Sequence, residues 1–164
     1  CHETYAKLKN IKGYGGDLLI EFVSNGNLTE VLPLIRAYQE FYKVAEVSDS
    51  KNEKFFSQFS ETSDIGCQFL FREAGKAVGF ATVYFTFTST IASKVAVLND
   101  LYTCPEYRGK KIGRQLIEHC HNYALINGAA RLQWITAPSN KPAQRLYDSM
   151  DTTKSEWYLY IYSA

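Results

Sequence analysis

Val97-Leu-Asn-Asp-Leu-Tyr-Thr-Cys-Pro-Glu-Tyr-Arg-Gly-Lys-Lys-Ile-Gly-Arg-Gln-Leu-Ile117 is the stretch whose reading decides the fold. Its apolar run ends in a short turn carrying Pro105. The basic, glycine-bearing Arg108-Gly-Lys-Lys-Ile-Gly113 follows, and an amphipathic segment comes after it. These parts spell a strand, a loop rich in backbone N–H groups and positive charge, and the first turn of a helix. Unpaired N–H groups and the positive end of the helix dipole both face out of a helix N-terminus, so the stretch suits a phosphate-bearing ligand.

Downstream, the helix is expected from about Gly109 or Lys111 to Asn127. Ile112, Leu116, Cys120, Tyr123 and Ala124 face inward, and Asn127-Gly128 is the C-terminal stop. Arg131 to Ala137 reads as a strand stopped by Pro138. Lys141 to Ser149 reads as a short helix capped by Ser139 or Asn140, and Glu156 to Tyr162 as a last strand. Upstream, Ser93 to Tyr102 is a strand, and Cys67 to Glu73 with Ala77 to Thr88 forms an antiparallel hairpin about Ala74-Gly75-Lys76. Apolar residues on both faces make the longer arm of that hairpin central. Leu18 to Val23 is a first strand. Leu28 to about Val44 is an amphipathic helix whose Pro33 favours Thr29 over Asn27 as its cap, and Ser50-Lys-Asn-Glu53 reads as the capping box of a second, short helix. The order is β-α-α-β-β-β-α-β-α-β. It describes one mixed α/β domain over residues 17–164, with residues 1–16 set apart as a poorly ordered extension.

At 164 residues, 46% hydrophobic and 21% charged, the chain can bury one substantial core. A formal net charge of +1 argues against nucleic-acid binding, which needs a basic excess. No apolar run nears the roughly 20 residues of a membrane span, and no signal-peptide plan opens the chain. Cys1, Cys67, Cys104 and Cys120 are scattered without a C-x-x-C pair, which indicates neither a zinc site nor a disulfide framework. His119 and His121 stand two apart on a helix and do not share a face, so no metal is expected. The expectation is a soluble cytoplasmic protein that binds no nucleic acid and enters no membrane.

Two motifs carry a resemblance. Arg108-Gly-Lys-Lys-Ile-Gly113 follows the fourth strand and opens the third helix, and Asn140-Lys-Pro-Ala-Gln-Arg-Leu-Tyr147 follows a strand and loop. In that context they resemble the R/Q-x-x-G-x-G/A and N-x-x-A-x-x-L-Y signatures of the GNAT N-acetyltransferase superfamily, over roughly Leu18 to Tyr162. The resemblance implies the GNAT fold: a central, mostly antiparallel twisted sheet, splayed at strands 4 and 5, with helices on both faces. It implies acetyl transfer from acetyl-CoA to a primary amine by direct attack in a ternary complex, without a metal. The amine would belong to a small molecule, a polyamine, or a protein lysine or N-terminus. Leu98-Asn-Asp-Leu-Tyr102 and Trp157-Tyr-Leu-Tyr160 look most like the small branch acting on polyamines, histone tails and related amines. Exchange of strands or helices between protomers in relatives suggests a homodimer.

By that resemblance Gly109, Lys110, Lys111, Ile112, Gly113 and Arg114 donate backbone N–H bonds to the coenzyme pyrophosphate, and Arg108 and Lys110 add charge. Lys111 stands where the family usually has its first Gly; its side chain either crowds the pyrophosphate or points outward and adds a cation. Leu101, Tyr102 and Thr103 would bind the acetyl carbonyl and the pantetheine arm through their amides, which also suits a developing oxyanion. Asn140 would be a coenzyme contact or a helix cap. Tyr147 would protonate the departing thiolate, a task suited to a phenol with a pKa of roughly 10. Polyamine-acetylating relatives carry Glu-Asp where this chain has Asn99-Asp100, and an amide takes no proton at neutral pH. Strand alternation lets at most one of these two face the substrate. The base is left as Asp100, a water chain or a carboxylate from elsewhere, with Asp100 leading. The alternative is a coenzyme-binding module that has lost turnover, supported by Lys111 and Asn99.

Overall fold

The computed structural model describes residues 18–163, and the extension expected at residues 1–16 lies outside them. The chain falls into two compact units, one ending at Trp134 and one beginning at Ile135. The first holds β1 (Leu18–Phe22), α1 (Leu28–Phe41), α2 (Asp49–Phe56), β2 (Gly66–Glu73), β3 (Lys76–Thr88), β4 (Ser93–Thr103), α3 (Ile112–Ile126) and β5 (Leu132–Gln133). The second holds α4 (Lys141–Asp148).

The sheet order is β1-β2-β3-β4-β5, antiparallel throughout except for the parallel β4–β5 pair. The β2–β3 hairpin turns at Ala74 and Gly75, both at positive φ, the two-residue turn that matches strand twist. β3 is central, as its two apolar faces predict. Neighbouring residues of a strand face opposite ways, and the helices divide accordingly. Leu70, Phe80 and Tyr102 join Val31 and Ile35 of α1 and Phe56 of α2 in one core cluster. Phe69 instead packs edge-on against His119 and Tyr123 of α3. Helices therefore cover both faces of a mixed α/β sheet. Gly79 sets how closely α3 approaches, because a Cβ there would stand 2.8 Å from Tyr102 O and 3.3 Å from Ile112 Cγ2.

Several element ends differ from expectation. α1 starts after Asn27, not Thr29, and accommodates Pro33 inside the helix. Asn27 accepts from Ser24 N and donates to Glu21 and Phe22 O, so its tie to the end of β1 fixes the helix start ahead of the proline. α1 stops at Phe41 rather than Val44, with Lys43 turned to φ 57°. α2 is capped by Ser48, whose hydroxyl accepts from Lys51 N, while Ser50 bonds Ser48 instead of capping. β5 shrinks from the expected Arg131–Ala137 to two residues. β4 runs on from Leu98 to Thr103 past its last pair with β5, which is the splay between strands 4 and 5. The last strand, Glu156–Tyr162, does not form. Its aromatic and β-branched residues supply propensity, but a strand needs a neighbour's hydrogen-bond ladder. Trp157 to Tyr162 are 70% to 103% exposed.

Candidate active site

A cleft of about 440 Å³ is bounded by α1, α2 and the end of β4, with Gln39, Glu46, Lys51, Asn52, Asn99 and Asp100 in its wall. Gln39 and Asn52 exchange two side-chain hydrogen bonds of 2.8 Å, and Arg36 pairs with Asp49 at 2.7 Å. These contacts brace α1 against α2. On β4 the pairing with β3 slips: Thr82 opposes Asp100 and Val83 opposes Leu98, leaving Asn99 as the extra residue of a bulge. Strict alternation would put Asn99 and Asp100 on opposite faces. The bulge lets both line the cleft, one exposed and one 6% exposed, which corrects the expectation that only one can face it.

Burial pushes the Asp100 carboxyl above the usual carboxylate range, and bonds from Thr82, Asn99 and Tyr38 oppose the rise. Its Oδ2 is fully enclosed and has no hydrogen-bond partner of its own. A largely buried carboxylate with raised proton affinity in a cleft wall is suited to taking a proton from an ammonium ion.

The β4 edge and the loop after it form the second part. Cys104 N donates to Val78 O at 2.9 Å. Counting back by alternation, Tyr102 and Asp100 direct their N–H groups into the sheet, while Leu101 and Thr103 direct theirs to the edge beyond β5. Tyr102 is buried, with its ring against Tyr38 and Phe80. A 3-10 turn at Pro105–Tyr107 then leads to Arg108, whose Nε donates to Thr103 O at 3.2 Å. Lys110 Nζ lies 3.0 Å from Glu73 and 4.7 Å from the Tyr107 ring centroid. A Cβ on Gly109 would meet nothing within 4 Å. Lys111, at φ 65°, occupies the left-handed capping position of α3 without a side-chain cap bond, and the first turn holds no acidic residue. Left-handed backbone is what Gly supplies without strain, so the departure at Lys111 bears on the backbone as well as on the ligand. The N–H groups of Ile112, Gly113 and Arg114 are left without helical acceptors. With Arg108, Lys110, Lys111 and Arg114 about it, this N-terminus fits a pyrophosphate.

In the second unit, Asn140 caps α4, its side-chain oxygen accepting from Ala143 N at 3.4 Å. Tyr147 is half-buried on the last turn of α4. His119 packs against Phe69, and burial lowers its pKa to about 4. Among the described residues no group of three or more His, Cys, Asp or Glu side chains is placed to hold a metal. Lys51, Gln68 and Thr82 carry little functional signal in the sequence. The only signal for the last two is a polar residue inside each of the apolar runs Cys67–Phe71 and Val78–Val83.

Residues 32–151 match the Acetyltransferase (GNAT) family, a span that takes in both motifs. The thialysine N-epsilon-acetyltransferase of Bos taurus is 30% identical, covering 87% of this chain and 91% of its own. The D-amino-acid N-acetyltransferase of Saccharomyces cerevisiae is 32% identical, covering 70% of this chain and 71% of its own. Among solved structures, an aminoglycoside N-acetyltransferase in complex with CoA shares the fold, with TM-score 0.76 over 93% of this chain and 99% of that one at 16% identity. The chain belongs to the GNAT family of acetyltransferases.

Proposed function

We propose that this enzyme moves the acetyl group of acetyl-CoA to the primary amine of a small amino-acid substrate within a ternary complex. The observation that carries the reading is Asp100, a largely buried carboxylate in the cleft wall whose burial raises its proton affinity. The α3 N-terminus and its basic flanks hold the pyrophosphate, and the outward amides of Leu101 and Thr103 take the pantetheine arm and the acetyl oxygen. Asn140 adds a coenzyme contact. Asp100 accepts the ammonium proton, the amine attacks the thioester carbon, a C–N bond forms and the C–S bond breaks. Tyr147, by its place in the second motif, protonates the leaving thiolate. Holding amine and thioester side by side supplies much of the rate.

The cleft's charges support the substrate class. Glu46 and Asp100 suit ammonium groups, and Lys51 suits a carboxylate. Thialysine and D-amino acids, for which two relatives are named, carry both groups. Release of CoA thiol over a panel of amines tests the proposal. Amino acids bearing a free amine should release it, and Asp100→Asn should abolish the release. Binding of acetyl-CoA without turnover on any amine would overturn the reading in favour of a non-catalytic acyl-CoA-binding module.

The exposed aromatic segment Trp157–Tyr162 supports a homodimer in which it finds a strand partner on a second copy. Sedimentation of the full chain and of a chain ending at Ser155 checks this, with only the longer one dimeric. Three free cysteines within the described residues suit a reducing compartment such as the cytoplasm.

A further inference from the structure

Lys110 stands between the two left-handed positions of the β4–α3 loop, Gly109 at φ 82° and Lys111 at φ 65°. Its Nζ donates to both carboxylate oxygens of Glu73, the last residue of β2, at 3.1 Å and 3.0 Å. It also lies 4.7 Å from the centroid of the Tyr107 ring. Lys76, the first residue of β3 and the cross-strand partner of Glu73, comes within 5.6 Å of the same centroid. The open ends of β2 and β3 and the loop are therefore joined by an ion pair and by a ring that two ammonium groups approach. In the sheet, β3 separates β2 from β4, and β5 lies on the far side of β4. Lys110 thus reaches back over the hairpin, away from the β4 edge to which Leu101 and Thr103 direct their N–H groups. Elsewhere the loop is held at its start, where Cys104 N donates to Val78 O at 2.9 Å and Arg108 Nε to Thr103 O at 3.2 Å. Its second half carries Lys111 in a backbone conformation that side chains disfavour. Such a conformation persists where surrounding contacts fix it, and the Lys110–Glu73 pair is a contact of that kind.

We propose that Lys110 and Glu73 are positioning residues whose ion pair pins the β4–α3 loop to the β2–β3 hairpin. The pin keeps the N–H groups of Ile112, Gly113 and Arg114 set for the pyrophosphate, and the charge of Lys110 serves the loop and not the ligand. The pin rests on the coenzyme reading of that N-terminus. Charge and pin predict opposite outcomes when Glu73 is neutralised. A carboxylate near a polyanion repels it, and a lysine released from Glu73 becomes a free cation, so charge alone makes Glu73→Gln bind acetyl-CoA more tightly. Loss of the pin makes it bind more weakly. The two side chains are 50% and 25% exposed, so the effect is that of a solvent-screened pair, about two- to fivefold in affinity.

Calorimetric titration of the full chain with acetyl-CoA is the test. Glu73→Gln should raise Kd about two- to fivefold, and in turnover the loss should fall on KM for acetyl-CoA and not on kcat. Without ligand, trypsin should cut after Arg108, Lys110 and Lys111 faster in Glu73→Gln than in the wild-type chain, because the loop opens more often. Affinity in Glu73→Gln equal to or tighter than wild type, or an unchanged cutting rate, would overturn the pin and leave the coenzyme reading in place. If the wild-type chain takes up no acetyl-CoA, the coenzyme reading falls first and the pin with it.

Discussion

Replacing Lys111 by Gly should stabilise the protein, although Gly has the larger backbone entropy to lose on folding. Lys111 is held at φ 65° and ψ 11°. For a residue with a Cβ, left-handed backbone costs about 1–2 kcal/mol. Gly escapes that cost but loses more backbone entropy on folding, roughly 0.5–1 kcal/mol. The difference leaves a net gain of about 0.5–1 kcal/mol, worth about 2 °C in the unfolding midpoint of a chain this size. Lys111→Ala is the control, because it removes the charge and keeps the strain. Calorimetric unfolding of the three proteins should rank the Gly variant above both others. A Gly variant no more stable than the Ala variant would refute the strain argument. The same proteins report on the ligand: the Lys111 side chain is exposed, so both variants should bind acetyl-CoA more weakly and with a shallower salt dependence. Tighter binding in the Gly variant alone would mean that Lys111 crowds the pyrophosphate.

Gly79→Ala forces a Cβ against Tyr102 O and Ile112. It should cost about 1–3 kcal/mol in urea unfolding and weaken acetyl-CoA binding, because the first turn of α3 is displaced; undiminished affinity would sink the second half of that claim. His119 has a folded pKa of about 4, below its unfolded value of roughly 6.5. The unfolded chain therefore binds the extra proton first, and stability falls as pH drops from about 6.5 towards 4, by at most about 3 kcal/mol. His119→Gln should flatten that loss in urea titrations across the window, and an unaltered pH slope would contradict it. Lys51→Glu should lower kcat/KM for lysine relative to cadaverine by roughly fivefold; an unchanged ratio would remove Lys51 from carboxylate recognition.

Much of the fold and half of the site were legible in the chain. The basic loop from Arg108 to Gly113, the helix with Ile112, Leu116, Cys120, Tyr123 and Ala124 inward, the β2–β3 hairpin and the Asn140 cap all follow from periods and turn residues that act within a few positions. Local signals were weaker at element ends. Ser48 displaces Ser50 as a cap, and Pro33 is tolerated inside α1, because contacts with other segments outweigh propensity there. The Glu156–Tyr162 pattern has the right residues for a strand and finds no ladder among the described residues.

What tertiary structure alone decided is which residues line the cleft. The resemblance to amine-acetylating relatives singled out Asp100, but the bulge at Asn99 depends on how β3 pairs with β4, and it is the bulge that lets neighbouring residues line one cleft. The row Gln68, Thr82, Asp100 joins positions 14 and 18 residues apart on three strands, through registers that no local pattern encodes. Local sequence selects helix, strand and turn because those depend on near neighbours. A carboxylate's proton affinity depends on burial and on donors brought from distant parts of the chain, and these exist only once the sheet has closed.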